Sequence, residues 1–195
     1  MLLLFMTMPF KKPKFKDLFL IVIVLVLIFP QTRKPIQVLL NKGFALISPS
    51  VLSEEKQKEV TSYNWQLKDN QGILFNFEET KGKVVLINFW ATWCPPCIAE
   101  MPSLQKLYND YNDKIVFLFV TDDWFKETNS FLEKNDYTFK VYRPDSKHEI
   151  FKIKTIPRTF LIDKKGKIII DKTGASNWNS DTVRKTIDEL IKIKS

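Results

Sequence analysis

The spacing of apolar and polar positions changes several times along this chain, and each change marks an element. Residues 18–29 read L-F-L-I-V-I-V-L-V-L-I-F, twelve apolar residues without a break, preceded by Lys11, Lys12, Lys14 and Lys16. Residues 36–47 form a second apolar stretch, interrupted by Asn41, Lys42 and Gly43, which suits a segment lying along a membrane surface. Residues 48–62 are polar and predict a linker or short helix. From residue 63 the pattern is that of a packed domain. Residues 83–90 (K-V-V-L-I-N-F-W) are a β-branched and aromatic run, as in a strand covered on both faces. Beyond Cys97, the residues Ile98, Met101, Leu104, Leu107, Tyr108 and Tyr111 recur at steps of three and four, one stripe of a helix, with Pro102 inside it as an expected kink. Residues 115–121 repeat the buried-strand pattern. Strand, helix and strand in tight succession predict a βαβ unit with parallel strands.

Further along, residues 126–135 are a weaker helix candidate. Residues 159–162 and 167–170 flank Asp163-Lys164-Lys165-Gly166, a hairpin with Gly166 where φ must be positive. Val183, Ile187, Leu190 and Ile191 share one face of a last helix, with Ser180 or Asp181 as its cap. Residues 65–77, around the turn Asp69-Asn70-Gln71-Gly72, predict an edge hairpin. The order is β-α-β-(α)-β-β-α, an α/β class with a mixed central sheet and helices on both faces.

Composition narrows the function. At 195 residues, 45% hydrophobic and 27% charged, the chain is ordinary for a packed protein, and collagen-like, low-complexity and wholly disordered readings are excluded. The net charge of +8 is uneven: residues 1–50 carry +6 of it. The basic excess therefore accompanies the apolar run and does not indicate a nucleic-acid partner. Basic leader then apolar stretch is the layout of an export signal. After residue 29 there is no small-x-small cleavage pattern and no nearby cysteine for lipoprotein processing. The reading is a leader and signal anchor over residues 1–32, meeting the lipid bilayer through residues 18–29, a juxtamembrane segment and linker over 33–62, and the folded domain over 63–195. A cleaved signal peptide is the alternative, because twelve helical residues reach only about 18 Å against a hydrocarbon core of about 30 Å. The lysine bias places the domain outside the cytoplasm.

The two cysteines, Cys94 and Cys97, sit three apart where the strand of residues 83–90 passes into the helix, within W-A-T-W-C-P-P-C-I-A-E-M-P. Cysteines at this spacing can form a disulfide across the first turn. The outer sulfur, Cys94, meets unpaired N–H groups and the positive end of the helix dipole, which stabilise a thiolate and make it the nucleophile. Cys97, one turn in, is shielded and resolves the mixed disulfide. Pro95 and Pro96 are tolerated because first-turn N–H groups have no partner in the helix. As a structural staple the pair would close too short a loop to stabilise much. A zinc ribbon lacks ligands, the single histidine being His148 in a charged stretch read as surface. No metal or other cofactor is expected.

Residues 84–102 resemble the active-site region of the thioredoxin superfamily, and residues 63–195 are similar to its TlpA/ResA-like branch. The C-P-P-C with W-A-T-W before it and E-M-P after it carries the resemblance. Members of that branch are membrane-tethered, extracytoplasmic thiol-disulfide oxidoreductases, several of which reduce apocytochrome c or other exported proteins. The resemblance implies a thioredoxin-like fold, with Ile156-Pro157 as the cis-proline loop that faces the disulfide and docks an extended substrate beside Trp93 and Pro95. It implies that Glu100 assists proton movement; as residue chemistry alone, Glu100 also reads as a first-turn glutamate favouring the helix dipole. Trp90 and Trp93 read as packing and active-site rim. Asn88 stands where thioredoxin has a buried aspartate, and it cannot titrate. The implied partners are disulfide-containing exported proteins and a membrane electron-donor protein, on the periplasmic side of the inner membrane. A binding or thiol-chaperone module with sensory cysteines is the alternative from another class, and the direction, reductase or oxidase, stays open.

Overall fold

The computed structural model describes residues 14–28, 30–145, 151 and 153–193. His148, Lys11, Lys12 and Phe29 lie outside them. The chain divides into two compact units, Met1–Ile36 and Gln37–Ser195.

In the first unit the apolar run is helical. Helix α1 spans Phe15–Ile28 with no glycine or proline to break it, and the Lys14 N–H donates to Asp17 Oδ2 at 2.9 Å at its start. Its 14 residues reach about 21 Å, well short of a hydrocarbon core of about 30 Å. No described helix is long and apolar enough to cross a membrane, so the span expected at residues 18–29 is not met by α1 alone. Helix α2 spans Pro30–Phe44, and the second apolar stretch forms its end, with Leu39, Leu40 and Phe44 exposed.

Residues 45–62 are not a free tether. The Asn177 N–H donates to the Ile47 carbonyl, Leu52 N–H to Ile169, Ile168 N–H to Lys58 and Val60 N–H to Gly166. Only Glu54–Lys56 makes a helical turn. The polar side chains of residues 53–59 mostly face water; the backbone is what binds the domain, and composition does not register that.

The domain is a seven-stranded sheet: β1 (Gln66–Asp69), β2 (Leu74–Asn76), β3 (Val85–Phe89), β4 (Val116–Val120), β5 (Val141–Pro144), β6 (Arg158–Ile162) and β7 (Ile168–Thr173), in the spatial order β2-β1-β5-β4-β3-β6-β7. Strands β3, β4 and β5 run parallel, as the βαβ reading requires; β6 and the β1–β2 hairpin pair antiparallel. Strand β5 was not legible in the sequence. Four residues, V-Y-R-P, show neither alternation nor length, and pairing to β4 and β1 alone makes them a strand. The β6–β7 turn does have Gly166 at φ +86°, and a Cβ there would meet the Tyr63 hydroxyl at 2.5 Å.

Helix α3 (Pro95–Tyr111) runs through Pro102 without interruption; α4 (Phe125–Lys134) and α5 (Asp181–Lys192) follow, α5 capped by Ser180. The central strands are largely apolar because both faces are covered, with Asn88 of β3 and Thr159 of β6 as buried polar exceptions. Leu86, Phe119 and Leu161 face Met101, Leu104 and Leu107 of α3, Leu132 of α4 and Val183, Ile187 and Leu190 of α5. Each such side chain contributes about 1.5–3 kcal/mol. Val85, Ile87, Leu118 and Phe160 face the other way, towards Val60, Trp65, Phe77 and Phe151. Among the described residues all three domain helices thus lie on one face, and Val60, Trp65, Phe77 and Phe151 pack on the second. The register brings Phe89 opposite both Val120 and Arg158, so residues 90–94, 121–124 and 156–157 meet at one end of the sheet.

Candidate active site

Cys94 is the N-cap of α3, with Pro95 and Pro96 opening the helix, and it is disulfide-bonded to Cys97. The Cys97 N–H donates to Cys94 Sγ at 3.3 Å, and this donor would stabilise a thiolate on Cys94 once the bond is reduced. An exposed outer sulfur was expected. In the disulfide, however, Cys94 is 3% exposed and Cys97 0%, because both belong to the main apolar core cluster. Cys94 is the more exposed residue of the two.

The chain before Cys94 is held by a residue that the sequence did not single out. Asp123, in the loop after β4, accepts from Thr92 N–H at 2.7 Å, Thr92 Oγ at 2.8 Å and Trp93 Nε1 at 3.2 Å. Trp93 is thereby fixed at the rim while 61% exposed, whereas Trp90 is buried against Phe131 and Phe139. Nothing in residue spacing links Asp123 to Trp93; the parallel β3–β4 register does. Pro95 is half-buried. On the loop at the same end of the sheet the Ile156–Pro157 bond is cis, Pro157 is buried and Ile156 packs on the core cluster that includes both cysteines.

Glu100 is wholly buried and six residues into α3, past the first turn, so a helix-dipole role is ruled out. Its position on the helix, three residues after Cys97, puts the two on one face. Asn88 Nδ2 donates to Oε1 at 2.8 Å, while Trp178 Nε1, at 3.1 Å, and the Ser176 N–H, at 3.2 Å, donate to Oε2. Ser103 Oγ braces the assembly, donating to the Glu100 carbonyl and accepting from the Trp178 N–H. Burial pushes the Glu100 carboxyl up to about 8, against the pull of these three donors and of the Lys172 charge. Ser176 and Trp178 lie in the loop between β7 and α5, more than seventy residues from Glu100 in sequence. The one available signal was that a buried acid beside thiols needs donors, and a tryptophan in an otherwise polar loop is such a donor.

A mixed sheet with a disulfide across the first turn of the helix after its central strand, and a cis-proline loop at the same end of the sheet, is the thioredoxin fold carrying its redox pair. The match to the Redoxin family covers residues 53–190, and the chain belongs to that family. It is 34% identical over 160 residues to the thiol-disulfide oxidoreductase ResA of Bacillus thuringiensis subsp. konkukian (strain 97-27), covering 77% of this chain and 86% of that protein. Among solved structures it is similar to a thiol:disulfide interchange protein from Chlorobium tepidum TLS, with TM-score 0.57, 20% identity and coverage of 69% and 97% of the two chains. It is similar also to the pneumococcal exposed lipoprotein thioredoxin from Streptococcus pneumoniae strain TIGR4, with TM-score 0.53, 26% identity and coverage of 64% and 98%. The chain is a thiol-disulfide oxidoreductase of the ResA-like kind, and disulfide-containing proteins are its substrate class.

Proposed function

We propose that this protein works outside the cytoplasm as a reductase of disulfides in exported proteins, including those that arise in cytochrome c maturation. Cys94 is the nucleophile, Cys97 the resolving thiol and Glu100 the acid–base group. Cys94 thiolate attacks one sulfur of the substrate disulfide and releases the other as thiolate. Glu100 in its ionised form takes the proton of Cys97, and the Cys97 thiolate attacks Cys94 Sγ, expelling the second substrate sulfur and closing the Cys94–Cys97 bond. The substrate gains two electrons and the pair loses two, which a membrane dithiol protein restores. Trp93, Pro95, Ile156 and Pro157 form the surface on which the substrate chain lies. The basic and apolar N-terminal segment supports export and retention at the membrane. The carrying observation is the position of Cys94 at the first turn of α3, more exposed than Cys97.

The test uses the full-length chain in an insulin-reduction assay with dithiothreitol. Cys94→Ser is expected to abolish turnover, and Cys97→Ser to accumulate mixed disulfides with client proteins. Faster alkylation of Cys97 than of Cys94 in the reduced protein would reverse the assigned roles. The reduction potential of the pair tests the direction: a value above that of the exported substrates would make the protein an oxidase.

A further inference from the structure

Asn88 is wholly buried on β3, directly opposite Thr159 on β6. Its Nδ2 spends both hydrogens, one on Glu100 Oε1 at 2.8 Å and one on Thr159 Oγ at 2.7 Å. Its Oδ1 has no partner among the described residues. Both groups facing Nδ2 are reversible. A hydroxyl can donate or accept, and a carboxyl oxygen accepts when ionised and donates when protonated. The partners of Glu100 Oε2 are not reversible, because the Trp178 indole N–H and the Ser176 backbone N–H can only donate. A proton placed on Oε2 would face two hydrogens, whereas one placed on Oε1 faces an amide that can turn to meet it.

We propose that Glu100 takes and releases its proton on Oε1, and that the Asn88 side-chain amide reverses with each transfer. With Glu100 ionised, Nδ2 donates to Oε1, the amide orientation that the structure has. When Oε1 gains a proton, one O–H bond forms and the amide turns by about 180°. Oδ1 then accepts from Oε1–H and from the Thr159 hydroxyl. One end of the amide is without a partner in either orientation, so neither is favoured by the count of unmade bonds, and the Glu100 proton decides between them. This deepens the acid–base reading of Glu100 and rests on it for its meaning in catalysis: the proton taken up at Oε1 is the one released by Cys97. An aspartate at position 88 would add a second charge beside Glu100, whereas the amide follows the proton without titrating. Of the groups around Glu100, Lys172 of β7 carries charge; Cys94 and Cys97 of α3 are neutral as the disulfide; Asn88, Thr159, Ser176 and Trp178 carry none. Asn88 is thus a positioning residue acting through Glu100.

The experiment follows the oxidised full-length chain in detergent micelles by NMR across pH 5–10, with δ-carbon-13 glutamate and side-chain nitrogen-15 asparagine. Glu100→Gln assigns the carboxyl signal. The Glu100 carbon and the Asn88 Nδ2 protons are expected to share one midpoint, with the Nδ2-to-Thr159 proximity lost on the acidic side. In Glu100→Gln the Asn88 signals should be independent of pH. Asn88→Leu removes a bond to the charged form, worth more than one to the neutral form, and should raise the Glu100 midpoint by about one pH unit. Separate midpoints, an amide that keeps its Thr159 proximity throughout, or an unmoved midpoint in Asn88→Leu overturns the switch. Its role in exchange is decided separately. An unimpaired exchange rate in Glu100→Gln, with co-titration intact, removes Glu100 from the mechanism and leaves the switch standing.

Discussion

Trp178 donates its indole N–H to Glu100 Oε2 at 3.1 Å, joining the loop before α5 to the helix that carries both cysteines. Both side chains are wholly buried, so neither can exchange this partner for water. Trp178→Phe keeps the ring packing and removes the donor. The expected result is a loss of about 1–3 kcal/mol in chemical denaturation and a Glu100 midpoint above that of the parent. An unchanged midpoint would mean that the Ser176 N–H and Asn88 hold the carboxyl without it.

Stability should depend on pH through the same group. Buried Glu100 keeps its proton to about 8, while in the unfolded chain it gives it up near the ordinary 4.5. Between those values the folded state holds one proton more than the unfolded state, so stability falls as pH rises. The contribution is fully present below about 4.5 and is lost as pH passes through about 8. Denaturation midpoints measured from pH 5 to 8 should decline in the parent and decline less in Glu100→Gln. Parallel curves for the two proteins would refute the assignment.

Trp93 and Asp123 should separate substrate docking from stability. Trp93 is 61% exposed, so Trp93→Ala should change stability by no more than about 0.5 kcal/mol. It should slow the reduction of protein disulfides more than that of a small aromatic disulfide, which needs no rim. Asp123→Ala frees Thr92 and Trp93 together and should cost about 1–3 kcal/mol while producing the same substrate split. Equal slowing of both substrates in Trp93→Ala would show that the ring serves the cysteines and not the substrate chain.

Location is tested by fractionation. The full-length protein is expected in the membrane fraction after high-salt and alkaline washes, with the cysteines reachable by a membrane-impermeant thiol reagent from outside. A soluble form beginning near residue 32 would identify a cleaved signal instead.

Elements whose cause is local can be read from the chain alone. Continuous apolar runs made β3 and β4, spacing at three and four made α3 and α5, Gly166 made the β6–β7 turn and Ser180 capped α5. The redox pair can be read in the same way, because a first-turn disulfide needs only two cysteines three apart at a helix start. Tertiary structure alone decided what depends on pairing between distant segments. Strand β5 exists through its neighbours, residues 45–62 are held by backbone bonds that side-chain polarity hides, and Asp123 reaches Trp93 through the β3–β4 register. The same holds for the character of Glu100. Its place on α3 is written in the sequence, but its proton affinity is set by burial under a sheet, which raises it, against donors on β3 and on the loop after β7, which lower it, and desolvation is a property of the assembled interior.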